Sequence, residues 1–330
     1  MTYETFLSIR EKTSRIKLCD LIGLLNDLYR EANLSEDAID EYYKLFELID
    51  VVFESTVFIG DNNDYHNIAV TCAKNEDYDV ACRFLEYGLN HFPFDVDLLA
   101  DYLKYGMKCD RVQECKKVFT NLLTRKSNWN WRAYKFSIDY LMDLTNIDSV
   151  DRKNEIIMLI KDFQKDLPEE EDAYLAEAEF NQKFVTNEQS GSTFVSVLEH
   201  ITSNDSIIKR TPKCDLKLAD YYYNIGNNTQ KALLLLECCK KNSVEIQRSV
   251  NRAYVYLLSS LCKMTQYYEM KKTADNEELE NLANDIYLDY HVAAIDINDS
   301  RVRDCKHLIE SFIRETSFPY PYDDLIENVI

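Results

Sequence analysis

Glycine and proline are scarce in this chain. Six glycines and five prolines occur among 330 residues, whereas average usage predicts about 40 in total. Sheet-rich folds need these residues in tight turns, and phosphate or dinucleotide sites need glycine where the backbone approaches the ligand. Their scarcity argues against both kinds of protein and favours an all-α fold.

Long uncharged stretches are also missing. No segment approaches the roughly 18 apolar residues of a membrane-spanning helix. The opening segment carries Glu4, Arg10, Glu11, Lys12 and Arg15 where a signal peptide would have an apolar run. We therefore expect a cytoplasmic protein that does not enter the membrane.

Patterns of metal-binding residues are absent as well. The ten cysteines form no C-x-x-C pair, and the five histidines match no H-E-x-x-H or cysteine–histidine zinc pattern. Residues 61–64 are rich in oxygen ligands, but the glycine and glutamate of a calcium-binding EF-hand do not follow in register. A chain of this size needs no disulfide staples, and most thiols fall on apolar stripes, where cysteine packs as a small hydrophobe. We expect no metal and no cofactor.

Signatures of catalysis are likewise missing. The sequence has no G-x-S-x-G elbow, no glycine-rich phosphate loop and no kinase signature set. A cysteine–histidine pair that meets only in space is the arrangement left open. The sequence therefore predicts a protein that is not an enzyme.

Charge is the first positive signal. Acidic residues number 58 and basic residues 38, which gives a net charge of −20. Such a surface repels phosphate backbones and anionic lipids and attracts basic peptides or basic protein faces. We expect a protein or peptide partner, with a basic one favoured by charge, and no direct binding to nucleic acid.

Apolar residues recur with helical spacing along almost the whole chain, and strict alternation is rare. Residues 1–57 are predicted to form an N-terminal helical cap with helices over 3–10, 16–31 and 36–54. Ser35 is suited to cap the last of these helices.

A helix-hairpin unit appears from about residue 62. Small residues at Ala69, Ala81 and Gly88 let two helix backbones approach closely, and large residues fill the spaces beside them. The complete pattern is formed by Tyr65, Ile68, Ala69, Cys72, Ala81, Leu85 and Pro93. It resembles a tetratricopeptide repeat in which Tyr replaces Trp and Ala replaces Gly.

The 34-residue period of that family gives further matches. The second unit contains Leu99, Tyr102, Leu103, Gly106, Cys115, Phe119 and Leu122. The third contains Ala133, Phe136, Ser137 and Tyr140, and its second helix is displaced by seven residues to Ile156, Ile160 and Phe163. A weaker fourth unit runs over 174–201 and a fifth over 216–239.

The resemblance implies a right-handed α-solenoid of helix hairpins over 58–296, followed by a C-terminal capping helix and an irregular tail over 297–330. Trp129, Trp131 and Tyr134 also resemble the half-a-tetratricopeptide variant found in RNA-processing scaffolds. The strict pattern of the first unit favours the ordinary repeat.

In this family the leading helices line a concave groove that accepts a peptide or a partner helix. The resemblance implies that the groove residues here are His66, Lys104, Lys108, Tyr134, Ile138, Lys217, Tyr221 and Asn224. Lys104 and Lys108 form a cationic spot suited to a carboxylate or a chain terminus. Val70 stands where the family's clamp for chaperone tails has a polar residue, which counts against that partner.

Two functions follow from the resemblance. The first is a non-catalytic adaptor or scaffold that binds a peptide or partner protein in its concave groove. The alternative is a peptide-responsive bacterial regulator of this repeat type, suggested by the helical segment ahead of the repeats. The acidic charge and the absence of a clear recognition helix in residues 1–57 disfavour the DNA-binding form of such regulators.

Overall fold

The structure is a computed structural model. It describes residues 14–32, 44–45, 47–49, 51, 53, 56–74, 76–145, 149–184, 189–202, 208, 212–241, 252–294, 300–316 and 318. The chain divides into two compact units, unit 1 over Met1–Ser190 and unit 2 over Gly191–Ile330.

Unit 1 contains two short strands with a helix between them, and further helices follow the second strand. Its elements are β1 (Ser14–Lys17), α1 (Leu18–Ala32), β2 (Thr56–Ile59), α2 (Asn62–Lys74), α3 (Tyr78–His91), α4 (Val96–Gly106), α5 (Val112–Leu123), α6 (Trp131–Leu144), α7 (Val150–Asp166) and α8 (Glu171–Phe184). A 3-10 turn over Met107–Cys109 follows α4.

All the secondary-structure elements described in unit 2 are helices. Its elements are α9 (Gln189–Thr202, which begins just before the division), α10 (Pro212–Asn224), α11 (Thr229–Lys241), α12 (Arg252–Met270), α13 (Asn276–Ala294) and α14 (Ser300–Glu315). The all-α prediction is confirmed.

The helices begin where polar side chains cap them. Asp77 accepts a hydrogen bond from the Val80 amide at 3.3 Å, and Asp95 accepts one from the Leu98 amide at 2.9 Å. Before α2, Asp61 and Asp64 each accept a hydrogen bond from the other's backbone amide, at 2.9 and 3.1 Å. Such contacts satisfy amides that the first helical turn leaves without a partner. The acidic run 61–64 therefore serves here as a helix start.

The 34-residue period is visible in the backbone of unit 1. Glu76 lies between α2 and α3 with φ of 60°, and Asp110 lies between α4 and α5 with φ of 58°. These left-handed residues stand 110 − 76 = 34 positions apart, at equivalent turns of successive hairpins. Left-handed backbone is uncommon outside glycine, so its recurrence at one repeat position supports the predicted spacing.

Within unit 1 the hairpins stack in sequence order, as predicted. Helix α3 packs on α2 and α4, and α6 packs on α4, α7 and α8. The leading helices α2, α4, α6 and α8 are therefore neighbours in that order. In unit 2, α12 packs on α11 and α13, and α14 contacts both α12 and α13.

A small parallel sheet departs from the prediction. Residues 14–17 pair with 56–59, from Ser14 opposite Thr56 to Lys17 opposite Ile59. The predicted helix over 16–31 consequently begins at Leu18. Strands of four residues are too short for alternating burial to stand out in the sequence.

Some predicted segments cannot be compared with the structure. The helix over 3–10 and the tail beyond residue 318 lie outside the described residues, and only isolated residues of the helix over 36–54 are described.

Candidate partner-binding surface

Polar contacts connect the leading helices of unit 1 in succession. Asn62 at the start of α2 donates a 2.7 Å hydrogen bond to Asp95, which caps α4. His66 of α2 contacts the buried carboxylate of Asp101 on α4 through its Nδ1. His66 therefore helps to fix α2 against α4, and the structure gives this predicted groove residue a definite neighbour.

Lys104 and Lys108 occupy the C-terminal end of α4 and the turn after it. Both side chains are exposed. The Nζ of Lys104 lies 5.0 Å from the ring centre of Phe136 on α6 and 5.1 Å from that of Tyr105. An ammonium over an aromatic face is attracted by the ring and is held near the surface. The cation is thereby placed where α4 meets α6.

An ion-paired group follows between α6 and α8. The Nζ of Lys135 lies 2.7 Å from Asp139 and 2.7 Å from Glu179. Burial disfavours the charged ammonium, but the two carboxylates outweigh it and raise the pKa of Lys135. Burial also raises the pKa of Asp139, against the opposing effect of Lys135. Two carboxylates, one on α6 and one on α8, therefore contact the same ammonium group.

Further along the same two helices, Lys183 of α8 lies 3.2 Å from Asp143 of α6, and both side chains are exposed. We call the surface that carries Lys104, Lys108, Lys135, Asp139 and Glu179 the leading-helix surface. It carries exposed lysines at the end of α4 and two carboxylates around one lysine between α6 and α8.

Tyr134 and Ile138 do not belong to this surface. Tyr134 is 1% exposed and Ile138 is fully buried. The Tyr134 ring stacks on Phe163 of α7 at 4.9 Å, and its hydroxyl donates a 2.5 Å hydrogen bond to Asp166. Tyr134 therefore faces α7, and neither of these two buried side chains is accessible to a partner.

The sequence patterns did not predict the charged residues that stand beside Tyr134 and Ile138. Lys135 and Asp139 are each one position beyond a predicted groove residue. Their opposite charges at a spacing of four are the signal that could have found this ion pair. Glu179 has no such local signal, since its contact with Lys135 joins two helices.

The remaining predicted residues lie on α10 in unit 2. Lys217 and Tyr221 are half-buried, and the Tyr221 ring packs against Phe194 at 5.5 Å. Asn224 is exposed and donates a 3.2 Å hydrogen bond to Asp220.

A buried polar cluster in unit 2 was also not predicted. Both carboxylate oxygens of Asp289 on α13 accept hydrogen bonds from the Nζ of Lys240 on α11, at 2.9 Å each. The Nζ of Lys263 on α12 lies 2.8 Å from the same carboxylate. The hydroxyl of Ser259 donates to the same carboxylate at 2.7 Å. Buried charges persist when they are paired and hydrogen-bonded, so this cluster joins three helices.

The described part of the chain shows neither a metal-binding cluster nor a membrane-spanning helix. No group of three or more histidine, cysteine, aspartate or glutamate side chains there could hold a metal ion. None of the described helices has the length and apolarity needed to cross a bilayer. Burial raises the pKa of the Cys115 and Cys262 thiols to about 12, which keeps both protonated at neutral pH.

The chain has a likeness among solved structures. No protein-family model and no curated protein matches the chain. A solved structure, a tetratricopeptide repeat protein from Parabacteroides merdae, is similar over 87% of this chain and 96% of its own, with 12% identity and a TM-score of 0.45. Support for repeated hairpins comes from this chain itself, from the recurring left-handed turns and the order in which its helices pack.

Proposed function

We propose that this protein is a non-catalytic interaction module and that the leading-helix surface of unit 1 binds a peptide or a segment of a partner protein. The observation that carries the proposal is the pair of exposed lysines, Lys104 and Lys108, beside Phe136 at the junction of α4 and α6. An exposed cation next to an aromatic ring suits a carboxylate that is flanked by an apolar side chain.

The charges on the leading-helix surface determine in which orientation the segment binds. Its acidic end meets Lys104 and Lys108, and its basic end meets the acidic group of Asp139 and Glu179 on α6 and α8. The net charge of −20 attracts the basic portion from a distance and raises the rate of encounter. The proposed ligand is therefore a segment that carries both signs of charge.

A peptide-display selection against the full-length protein tests the proposal. Selected peptides are synthesised, and their affinity is measured by titration calorimetry for the wild type and for the double variant Lys104→Glu/Lys108→Glu. The control is Lys116→Glu/Lys117→Glu, since these lysines are exposed on α5 and the change in net charge is the same. The control separates local contact from overall charge.

We expect the first variant to bind about tenfold or more weakly, because each reversed charge replaces an attraction with a repulsion. The control should bind within about twofold of wild type. Equal weakening of both variants, or of neither, would count against the leading-helix surface. The regulator alternative depends on residues 1–57, about half of which lie outside the described residues.

A further inference from the structure

Two thiols of unit 1 lie close together where successive hairpins meet. The Sγ atoms of Cys82 on α3 and Cys109 in the turn after α4 are 3.7 Å apart. Cys82 is fully buried, whereas Cys109 is partly exposed. A disulfide has an S–S distance of about 2.05 Å, so the two atoms need to approach by about 1.7 Å.

The position of Cys109 makes that approach feasible. It ends the 3-10 turn and is followed by Asp110 with left-handed backbone. Its Sγ is 3.4 Å from the Tyr105 carbonyl, a weak contact that little energy is needed to break. Rotation about its Cα–Cβ bond moves the sulfur without displacing a helix.

The surrounding ion pairs already hold this junction together. Arg111, two residues after Cys109, donates to Asp79 and Glu86 of α3 at 2.6 Å each. Asp79 and Glu86 lie one turn to either side of Cys82 along α3. The helix and the turn are therefore fixed in the register that keeps the two thiols adjacent.

We propose that Cys82 and Cys109 are a modification site that forms a reversible disulfide by exchange with low-molecular-weight disulfides. The Cys109 thiolate attacks one sulfur of oxidised glutathione and forms a mixed disulfide, and the released glutathione thiolate takes up a proton. The Cys82 thiol then attacks the Cys109 sulfur and passes its proton to the departing thiolate, which leaves as the second reduced glutathione. Two protein thiols are oxidised, and one glutathione disulfide is reduced to two thiols.

Exposure sets the order of these steps, because an oxidant from solution can reach Cys109 but not Cys82. Burial raises the pKa of Cys109, although the nearby Cys82 thiol and Arg111 act in the opposite direction. The reacting thiolate is therefore scarce at neutral pH, and exchange should accelerate roughly tenfold per pH unit. The product joins the first hairpin covalently to the turn that carries Lys108.

The experiment incubates the full-length protein with graded ratios of oxidised to reduced glutathione, followed by acid quenching and alkylation. Trypsin digestion without reduction separates residues 75–83 from 109–111, so the disulfide appears in the mass spectrum as these two peptides linked. We expect the linked peptide in a protein that remains monomeric on a non-reducing gel. Its melting temperature should rise by a few degrees, because the closed loop restricts the unfolded chain.

Cys109→Ser should abolish both the linked peptide and the rise in melting temperature. Cys238→Ser should leave both unchanged, since Cys238 is exposed and has no role in the pair. Full glutathionylation of Cys19 and Cys238 with Cys82 still alkylatable would overturn the proposal. A linked peptide found only in dimers, or an equal rise in melting temperature in Cys109→Ser, would overturn it as well.

Discussion

Gly88 of α3 lies directly against the ring of Tyr65 on α2. A Cβ atom at Gly88 would come within 2.8 Å of Cγ of Tyr65, closer than non-bonded carbons approach. Tyr65 is 1% exposed, and its hydroxyl donates a 3.1 Å hydrogen bond to the Phe58 carbonyl. Burial and the hydroxyl contact both hold the ring, so an added Cβ at position 88 would force the ring or the helix to shift.

Gly88→Ala should lower the free energy of unfolding by about 1–3 kcal/mol, because overpacking outweighs the better helix propensity of alanine. Urea unfolding followed by tryptophan fluorescence measures this, since Trp129 and Trp131 both lie in unit 1. Gly23→Ala on α1 is the control, as nothing lies within 4 Å of its added Cβ. That variant should be as stable as wild type or more stable by up to about 1 kcal/mol. Shifts in the same direction for both variants would contradict this account.

The β2 strand offers a second matched pair. Phe58 is 2% exposed and its ring centre lies 5.1 Å from that of Phe53 and 4.9 Å from that of Phe84, whereas its neighbour Ile59 is 46% exposed. Phe58→Ala should cost about 3–5 kcal/mol of stability through lost packing and a cavity. Ile59→Ala should change it by less than about 0.5 kcal/mol. The same fluorescence experiment checks both, and similar values for the two would refute the alternating burial of β2.

Asp289 should contribute far more to the free energy of unfolding than Asp285, which lies one turn earlier on α13. Asp289→Ala leaves Lys240 and Lys263 without their buried carboxylate, which should cost about 3–5 kcal/mol. Asp285 is 64% exposed and 3.9 Å from Lys263, so Asp285→Ala should cost less than about 1 kcal/mol. Thermal unfolding followed by circular dichroism compares them. Equal losses would show that the cluster contributes no more than a surface ion pair.

Stability should fall in alkali. Burial raises the pKa of Tyr65 and of Tyr290 from 10.0 to about 12. Because the pKa is higher in the folded state, the stabilisation is fully present below about pH 10 and is lost as the pH rises through about 12. Melting temperatures measured across this range, together with tyrosinate absorbance, should show that these phenols ionise as the protein unfolds. The melting temperature of Tyr290→Phe should fall less steeply with rising pH than that of the wild type. An unchanged dependence on pH would show that ionisation of Tyr290 does not contribute to the loss of stability.

The helix hairpins could be predicted because their determinants are local. Ala81 and Gly88 recur with large residues at fixed spacings, and each helix needs only its own apolar stripe and caps to form. Ile156, Ile160 and Phe163, placed by a seven-residue displacement, are buried in α7 as expected. Two helical turns can be added there without rotating the apolar face.

The proposed binding surface could be predicted only in part. Lys104 and Lys108 are exposed where the resemblance placed them, but Tyr134 and Ile138 are buried. Family register gives the position of a residue on its helix. It does not show that α7 covers one side of α6, because that depends on how two helices pack.

The order of small, large and capping residues by itself determined that this chain folds into helices joined as hairpins, with a 34-residue spacing between the turns of the first two hairpins. Tertiary structure alone decided that β1 pairs with β2, that Lys240 and Lys263 share Asp289, and that Cys82 meets Cys109. The reason is physical: hydrogen bonds within a helix and the spacing of its apolar residues involve near neighbours in the sequence. Contacts between distant segments depend on the angle and register at which whole helices stack, which no short pattern of residues specifies.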